Sequence, residues 1–245
     1  MSKKNSAGFT SEDDVFARTA NSYDMLCDLF SLYLHRVWKS RLAEKIITTK
    51  GDIFLDIAAG TGDIALRVAI NHQNTKKIIL GDLCPKMLAV AKNKALKNNL
   101  VCEFETMNAH NLSSIQDNSV DIISISFAMK ICERDKVLIQ ALRVLKPGGT
   151  FYCLEVAQIP IVWLHKLYLQ YMNICVPLIA TIVTKGDKSA YNYLLKGIKE
   201  FPSQEELKLE IEKVGFTNVK YKNMTLGIVS LHSGEKLQKH KSGKA

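Results

Sequence analysis

The 245-residue sequence has six cysteines (27, 84, 102, 132, 153 and 175) but no Cys-x-x-Cys pair, and no histidine lies within metal-ligand spacing of two of them. A disulfide framework and a cysteine-based zinc site are therefore excluded, and no metal is expected. A reduced compartment is implied, with Cys102 and Cys153 read as small apolar residues in strand-like runs. Lys3 and Lys4 are not followed by an apolar run, so no secretory signal is expected. Long hydrophobic stretches are missing as well. The longest candidate, Ile159 to Val183, is broken by His165, Lys166, Gln170, Asn173 and Pro177, which argues against a membrane span. Arginine is scarce: six of the 33 cations, at 18, 36, 41, 67, 134 and 143. A nucleic-acid surface usually recruits arginine for bidentate phosphate and guanine contacts, so no nucleic-acid partner is expected. The chain also has no internal repeat and no low-complexity linker.

What is present is the composition of an ordinary globular domain, 47% apolar and 23% charged. That excludes disorder as the state of the chain. The net charge of +9 is unevenly placed. Residues 1–10 hold Lys3 and Lys4 without an acid, and residues 235–245 hold Lys236, Lys239, Lys241 and Lys244 against Glu235. Both segments read as flexible tails. The expected location is cytoplasmic, with basic ends suited to a peripheral contact on an anionic inner-membrane surface.

From residue 52 short β-rich runs alternate with helical stretches. Strands are predicted at 53–57, 77–82, 101–106, 120–126 and 150–156. Helices are predicted from about Thr61, from Pro85 to about Lys97, and from about Glu133 to Leu145. The last of these stops at Lys146-Pro147-Gly148-Gly149, a strong breaker. A helical, aromatic-rich block at 160–200 and a helix from Ser203 to Val214, capped by Gly215, precede two late strands near 217–223 and 226–232. Alternation implies an α/β fold, a doubly wound parallel sheet. The two strands without an intervening helix form an antiparallel hairpin at one edge. Residues 11–50 read as a helical cover over the ligand crevice and 160–200 as a helical lid, all within one domain, 1–245.

The chemistry starts at Leu55-Asp56-Ile-Ala-Ala-Gly60-Thr61-Gly62-Asp63, a strand running into a glycine-rich turn and a helix N-terminus. The glycines alone also satisfy a dinucleotide fingerprint. Asp56 narrows the reading, because a carboxylate there repels a pyrophosphate and suits a cationic amino-acid group. Asp82 ends the second strand 20 residues after Gly62, where an acid accepts the two ribose hydroxyls of an adenosine; a helix N-cap or a solvated turn is the plain alternative. Met107-Asn108-Ala109 follows the third strand, at the adenine side of the crevice, and Ser126 ends the fourth strand. Taken singly, Asn108 and Ser126 read first as turn formers.

In this order Asp56, Gly60-Thr61-Gly62, Asp82, Asn108-Ala109, Asp117-Asn-Ser-Val-Asp121 and Leu145-Lys-Pro-Gly-Gly149 resemble the class I methyltransferases that use S-adenosyl-L-methionine, from residue 52 onward. The resemblance implies a Rossmann-like sheet of seven strands with the last strand antiparallel. It also implies cofactor contacts at Gly60, Thr61, Gly62, Asp82, Asn108, Ala109 and Ser126.

A narrower likeness lies outside those motifs. Phe16-x3-Ala20-x2-Tyr23-Asp24-x3-Asp28-x2-Ser31-x3-His35-Arg36-x-Trp38-Lys39 resembles the N-terminal segment of the UbiE/Coq5-type C-methyltransferases of ubiquinone and menaquinone biosynthesis. So do Gly186-Asp187-x2-Ser189-x-Tyr191-x-Tyr193-Leu194, Phe201-Pro202-x-Gln204-x2-Leu207, Gly215-Phe216 and Thr225-x-Gly227-x-Val229-x-Leu231-His232-x-Gly234. That likeness implies methylation of a ring carbon of a polyprenylated lipid quinol; a homodimer is compatible with it. One departure stands out. After Ser126-Phe127 the family has Gly-(Leu/Ile)-Arg-Asn-Val, and this chain has Ala128-Met129-Lys130-Ile131-Cys132. Lys130 keeps a cation but loses the planar fork. By position it is the candidate for stabilising a quinolate, ahead of His35, Tyr23 and Tyr191, each of which, taken singly, reads first as packing or a surface hydrogen bond. The block with Trp163, Leu167 and Tyr171 at i, i+4 and i+8 lines an isoprenoid channel, touches a bilayer, or is a core helix. A catalytically impaired, cofactor-binding scaffold of the quinone pathway and a methyltransferase of another small molecule stay open. An RNA or protein-amide methyltransferase is disfavoured, since Ser126-Phe127-Ala128-Met129 stands where an Asn/Asp-Pro-Pro-Tyr motif would be.

Overall fold

In the computed structural model, described over residues 15–71, 75–183, 195 and 197–238, each central strand sends alternate side chains to opposite faces. In β1 (Ile53–Ile57), Phe54 joins Trp38, Leu42, Ile46, Ile64 and Val68 on one face, while Leu55 and Ile57 join Val137, Leu138, Ala141 and Phe151 on the other. Two apolar clusters follow, one on each side of the sheet. Helices α3 (Leu34–Thr48), α4 (Asp63–Asn71) and α5 (Pro85–Lys97) cover the first. Helices α6 (Arg134–Val144) and α8 (Gln204–Val214) cover the second.

Seven strands pair in the order β3-β2-β1-β4-β5-β7-β6. Strands β2 (Lys77–Asp82), β3 (Glu103–Thr106), β4 (Val120–Ser126) and β5 (Leu145–Val156) run parallel to β1. β7 (Val229–Lys236) lies between β5 and β6 (Phe216–Met224), antiparallel to both. The fold is therefore the Rossmann-like seven-stranded sheet with its last strand reversed. β1 has β2 on one side and β4 on the other, so the strand order reverses there and a crevice opens at their carboxyl ends.

Several elements depart from the sequence expectation. β5 runs through Lys146-Pro147-Gly148-Gly149 as a register shift, because Gly148 adopts φ +81° and lets the strand bulge. A Cβ at Gly149 would come within 2.9 Å of the Asp121 and Lys146 carbonyls, so the bulge needs glycine there as well. β3 starts at Glu103, which leaves Cys102 half-buried outside the strand, whereas Cys153 in β5 is fully buried. β7 extends to Lys236, so Glu235 and Lys236 belong to the sheet and not to a tail. The Lys236 ammonium donates to the Leu142 and Leu145 carbonyls at 2.6 and 2.8 Å.

The cover consists of α1 (Val15–Thr19), α2 (Tyr23–Phe30) and α3, and the lid contains α7 (Val162–Val183). The Gly186–Leu194 motif with Tyr191, and the chain ends 1–14 and 239–245, lie outside the described residues. Among the described residues no helix is long and apolar enough to cross a membrane.

Candidate active site

After β1 the chain turns through Ala58 (φ +50°), Gly60 (φ +57°) and Gly62 (φ +81°) before α4 begins. The two glycines do different work. A Cβ on Gly60 would meet nothing within 4 Å, so this backbone borders open space at the head of the crevice. A Cβ on Gly62 would lie 2.9 Å from both Leu80 and Ala91, so here glycine lets the turn pack against β2 and α5. The Gly60 N–H donates to Asp82 Oδ2 at 2.7 Å and the Cys84 N–H to Oδ1 at 2.8 Å, fixing the carboxylate at the end of β2. A carboxylate held at a strand end is the kind of acceptor that a ribose diol requires.

Gly81 lets the Met107 thioether lie across β2, since a Cβ there would fall 2.2 Å from Met107 Sδ. That seats Asn108-Ala109 beyond β3. Asn108 Oδ1 accepts from the His110 N–H at 2.9 Å, the turn-forming role, and Ala109 packs half-buried on the core. The glycine turn, Asp82 and Asn108-Ala109 thus meet at adjacent strand ends, a donor and acceptor set of the kind that S-adenosylmethionine requires. Thr61 is the exception. It is buried, and its hydroxyl donates to Asp24 Oδ1 on α2 at 2.6 Å. Lys94 completes the latch by bonding Asp24 and the Thr61 carbonyl.

Beneath the turn, Asp56 is buried and accepts from the Ser124 hydroxyl at 2.5 Å, while its Oδ2 has no hydrogen-bond partner. Burial pushes its pKa up to about 7, and the Ser124 hydrogen bond only partly opposes this. Asp63 behaves oppositely. Burial alone would raise it, but Lys39 at 2.9 Å and Arg67 at 2.8 Å outweigh burial and hold the carboxyl at about 2.

Next to the turn lies a cavity of about 530 Å³, walled by Ala58, Gly60, Ser126 and Phe127 on the sheet side. Its far wall comes from α2, α3 and α7, including Phe30, Trp38, Leu164, Tyr168 and Met172. Ser126 therefore borders the cavity. Lys130 also lines it, but the ammonium is engaged: it donates to Glu155 Oε1 at 2.9 Å and to the Phe127 carbonyl. The Lys130 N–H adds a bond to Glu155 Oε2 at 3.2 Å. Both side chains are buried, so the pair locks the 126–132 loop and Lys130 reaches an acceptor only as part of a neutral pair. Phe127 holds φ +55° between the Lys130 ammonium and Trp38, whose indole N–H donates to Thr225 at 2.8 Å.

The Trp163, Leu167, Tyr171 stripe divides. Leu167 and Tyr171 line the cavity, and the Tyr171 hydroxyl donates to the Phe30 carbonyl at 3.2 Å. Trp163 is 68% exposed. Each i, i+4 step drifts about 40° on an α-helix, so residues eight apart do not share a narrow face. Sequence reading missed the roles of Glu155, Lys39 and Asp24. A lone acid in the apolar run Thr150–Val156 was the available signal for Glu155; the other two depend on contacts distant in sequence.

Comparison with known proteins agrees with this geometry. Residues 4–236 match the model of the ubiE/COQ5 methyltransferase family. A ubiquinone/menaquinone biosynthesis C-methyltransferase UbiE of Brucella abortus is 40% identical over 230 residues, 92% of this chain and 85% of the relative. Its namesake in Brucella anthropi is also 40% identical, covering 92% and 87%. Among solved structures, a SAM-dependent methyltransferase of Thermotoga maritima superposes with a TM-score of 0.63 at 19% identity, covering 90% and 97% of the two chains. One from Aquifex aeolicus gives 0.58 at 18% identity, covering 81% and 89%.

Proposed function

Because the chain belongs to the ubiE/COQ5 methyltransferase family, we propose that it methylates a ring carbon of a polyprenylated quinol in ubiquinone or menaquinone biosynthesis, with a demethylmenaquinol or a 2-polyprenyl-6-methoxy-1,4-benzoquinol as acceptor. It is an S-adenosylmethionine-dependent C-methyltransferase. The observation that carries the acceptor assignment is the apolar cavity sharing the wall Ala58, Gly60, Ser126 and Phe127 with the cofactor turn. Bound S-adenosylmethionine supplies a methyl group already activated on a sulfonium. The protein's part is to align the acceptor carbon, exclude water and manage one proton. Gly60, Gly62 and Asp82 hold the cofactor, with Asn108-Ala109 at its adenine side and Thr61 bracing the turn through Asp24. Phe127, Trp38 and Tyr168 offer flat or apolar walls for a quinol ring, and Lys130 with Glu155 holds the 126–132 loop at the cavity wall.

A peripheral contact with an anionic bilayer belongs to the same reading. Leu32 and Leu167 line the cavity and are 68% and 55% exposed, so they form its rim. Tyr33, Val37 and Trp163, each next in sequence to a cavity-lining residue, are exposed as well, and Arg36, stacked on Tyr33, adds a cation. A lipid acceptor entering here would leave the bilayer ring-first.

Complementation separates this function from a silent scaffold. Expression in a bacterium deficient in quinone C-methylation is expected to restore methylated ubiquinone or menaquinone in the extracted lipids. Persistent demethylated quinone despite soluble, cofactor-binding protein would favour the scaffold.

A further inference from the structure

Methylation of a phenolic ring carbon requires loss of the adjacent hydroxyl proton, and the site described so far contains no group to receive it. The cavity wall offers several titratable side chains. Tyr23 and Cys27 stand on α2, Lys39 on α3, Asp63 on α4, Lys130 in the loop after β4, and Tyr168 and Tyr171 on α7. Most are unsuited to accept a proton near neutral pH. The neighbouring Cys27 and then burial raise Tyr23, and burial raises Cys27, Tyr168 and Tyr171, so these stay protonated. Asp63, at about 2 and shared by two cations, is too weak a base, and Lys130 is committed to Glu155.

His35 is different. It lines the cavity from α3 and is 6% exposed, and its Nε2 lies 2.8 Å from Asp28 Oδ1. Asp28 is fixed in turn by two bonds from Arg36, at 2.6 and 2.7 Å. A carboxylate only accepts, so Nε2 carries the hydrogen, and in the neutral ring Nδ1 is an acceptor. Nδ1 is buried and has no hydrogen-bond partner. Burial, followed by the Lys39 ammonium, lowers the imidazolium's pKa from its ordinary value, while Asp28 and Asp63 oppose this, so the ring is neutral at pH 7.

We propose that His35 is the general base of the reaction, taking the acceptor's hydroxyl proton on Nδ1 while Asp28 holds the ring through Nε2–H. The proposal rests on the quinol reading above. The acceptor O–H bond breaks, an N–H bond forms at Nδ1, and the electron pair left on oxygen makes the ring carbon nucleophilic. Once that carbon is methylated, its own hydrogen leaves to water as His35 returns its proton to the oxygen. One proton is released overall and His35 ends neutral. Asp28 is a positioning residue, since it acts through His35.

The full-length chain is tested with two probes, a short-tailed demethylmenaquinol and the matching 2-prenyl-6-methoxy-1,4-benzoquinol. If the wild type methylates neither probe, the quinol reading is overturned, and the proposal with it. With turnover established, His35→Gln, whose amide can still donate to Asp28, is expected to lose roughly 100-fold or more in kcat with KM near wild type. Its rate should climb as pH rises toward the quinol's own ionisation, and the acidic limb of kcat/KM should vanish. Asp28→Asn removes a charge that favours the imidazolium, so its acidic limb should move to lower pH. Histidine ring NMR of the wild type gives a readout independent of turnover. A hydrogen on Nε2, with Nδ1 perturbed on addition of the quinol, supports the proposal. A hydrogen on Nδ1, or an acidic limb unchanged in His35→Gln, overturns it and leaves the quinol reading standing.

Discussion

Asp56 has one hydrogen-bonded oxygen, one unpartnered oxygen and a pKa pushed up by burial to about 7. The folded chain therefore binds this proton more tightly than the unfolded chain. As pH rises from about 4 to 7, Asp56 costs stability, by at most about 4 kcal/mol. Asp56→Asn is thus expected to gain more stability relative to wild type at pH 8 than at pH 4.5, measured by urea unfolding; equal differences at both pH values would contradict the assignment. A bound sulfonium favours the ionised carboxylate, so a proton should be released when the cofactor binds near pH 7. Titration calorimetry in buffers of different ionisation enthalpy reports it. Asp82 differs in kind, since two backbone N–H groups orient its carboxylate at the end of β2.

Helices α3 and α4 are fastened at the crevice by Asp63, which bonds Lys39 and Arg67. Its folded pKa, about 2, is depressed, so this clamp contributes fully above the unfolded value near 3.9 and is lost as pH falls toward 2. Asp63→Asn leaves the buried Lys39 ammonium without its counter-charge, a loss of about 3 kcal/mol at pH 7. Denaturation midpoints should show that deficit shrinking as pH is lowered from 5 to 2. Strands and helices around this clamp were legible in the sequence because their cues are local. Pro85 starts α5, and Ser203, with its Glu206 capping box, and Gly215 bound α8. The bulge in β5 was hidden because Pro147-Gly148-Gly149 carries the same local signature as a loop, and only pairing with β4 distinguishes them. On the lid helix α7 the expected stripe divides: Leu167 and Tyr171 line the cavity together with Leu164 and Tyr168, whereas Trp163 is exposed.

At the scale of the molecule, the crevice could be placed because its motifs stand at successive strand ends, and a parallel sheet brings such ends together. The cover's contacts were not legible. Asp24 meets Thr61 and Lys94 from 37 and 70 residues away, and Trp38 meets Thr225 across 187, distances no local pattern encodes. The net charge takes on a new meaning as well, with Lys236 built into the sheet and an apolar rim around the cavity mouth. If that rim docks on membrane, replacing Leu32 and Trp163 with Asp should weaken co-sedimentation with phosphatidylglycerol vesicles severalfold while cofactor binding is unchanged. Retained sedimentation after both replacements would assign binding to the basic ends instead. The most direct measurement incubates the purified chain with S-adenosylmethionine carrying a deuterated methyl group and a short-tailed demethylmenaquinol or methoxybenzoquinol, and locates the label by mass spectrometry and NMR. The expected result is one deuterated methyl on a ring carbon of the quinol. Label on oxygen, or an unlabelled quinol from a chain that binds the cofactor, would contradict it.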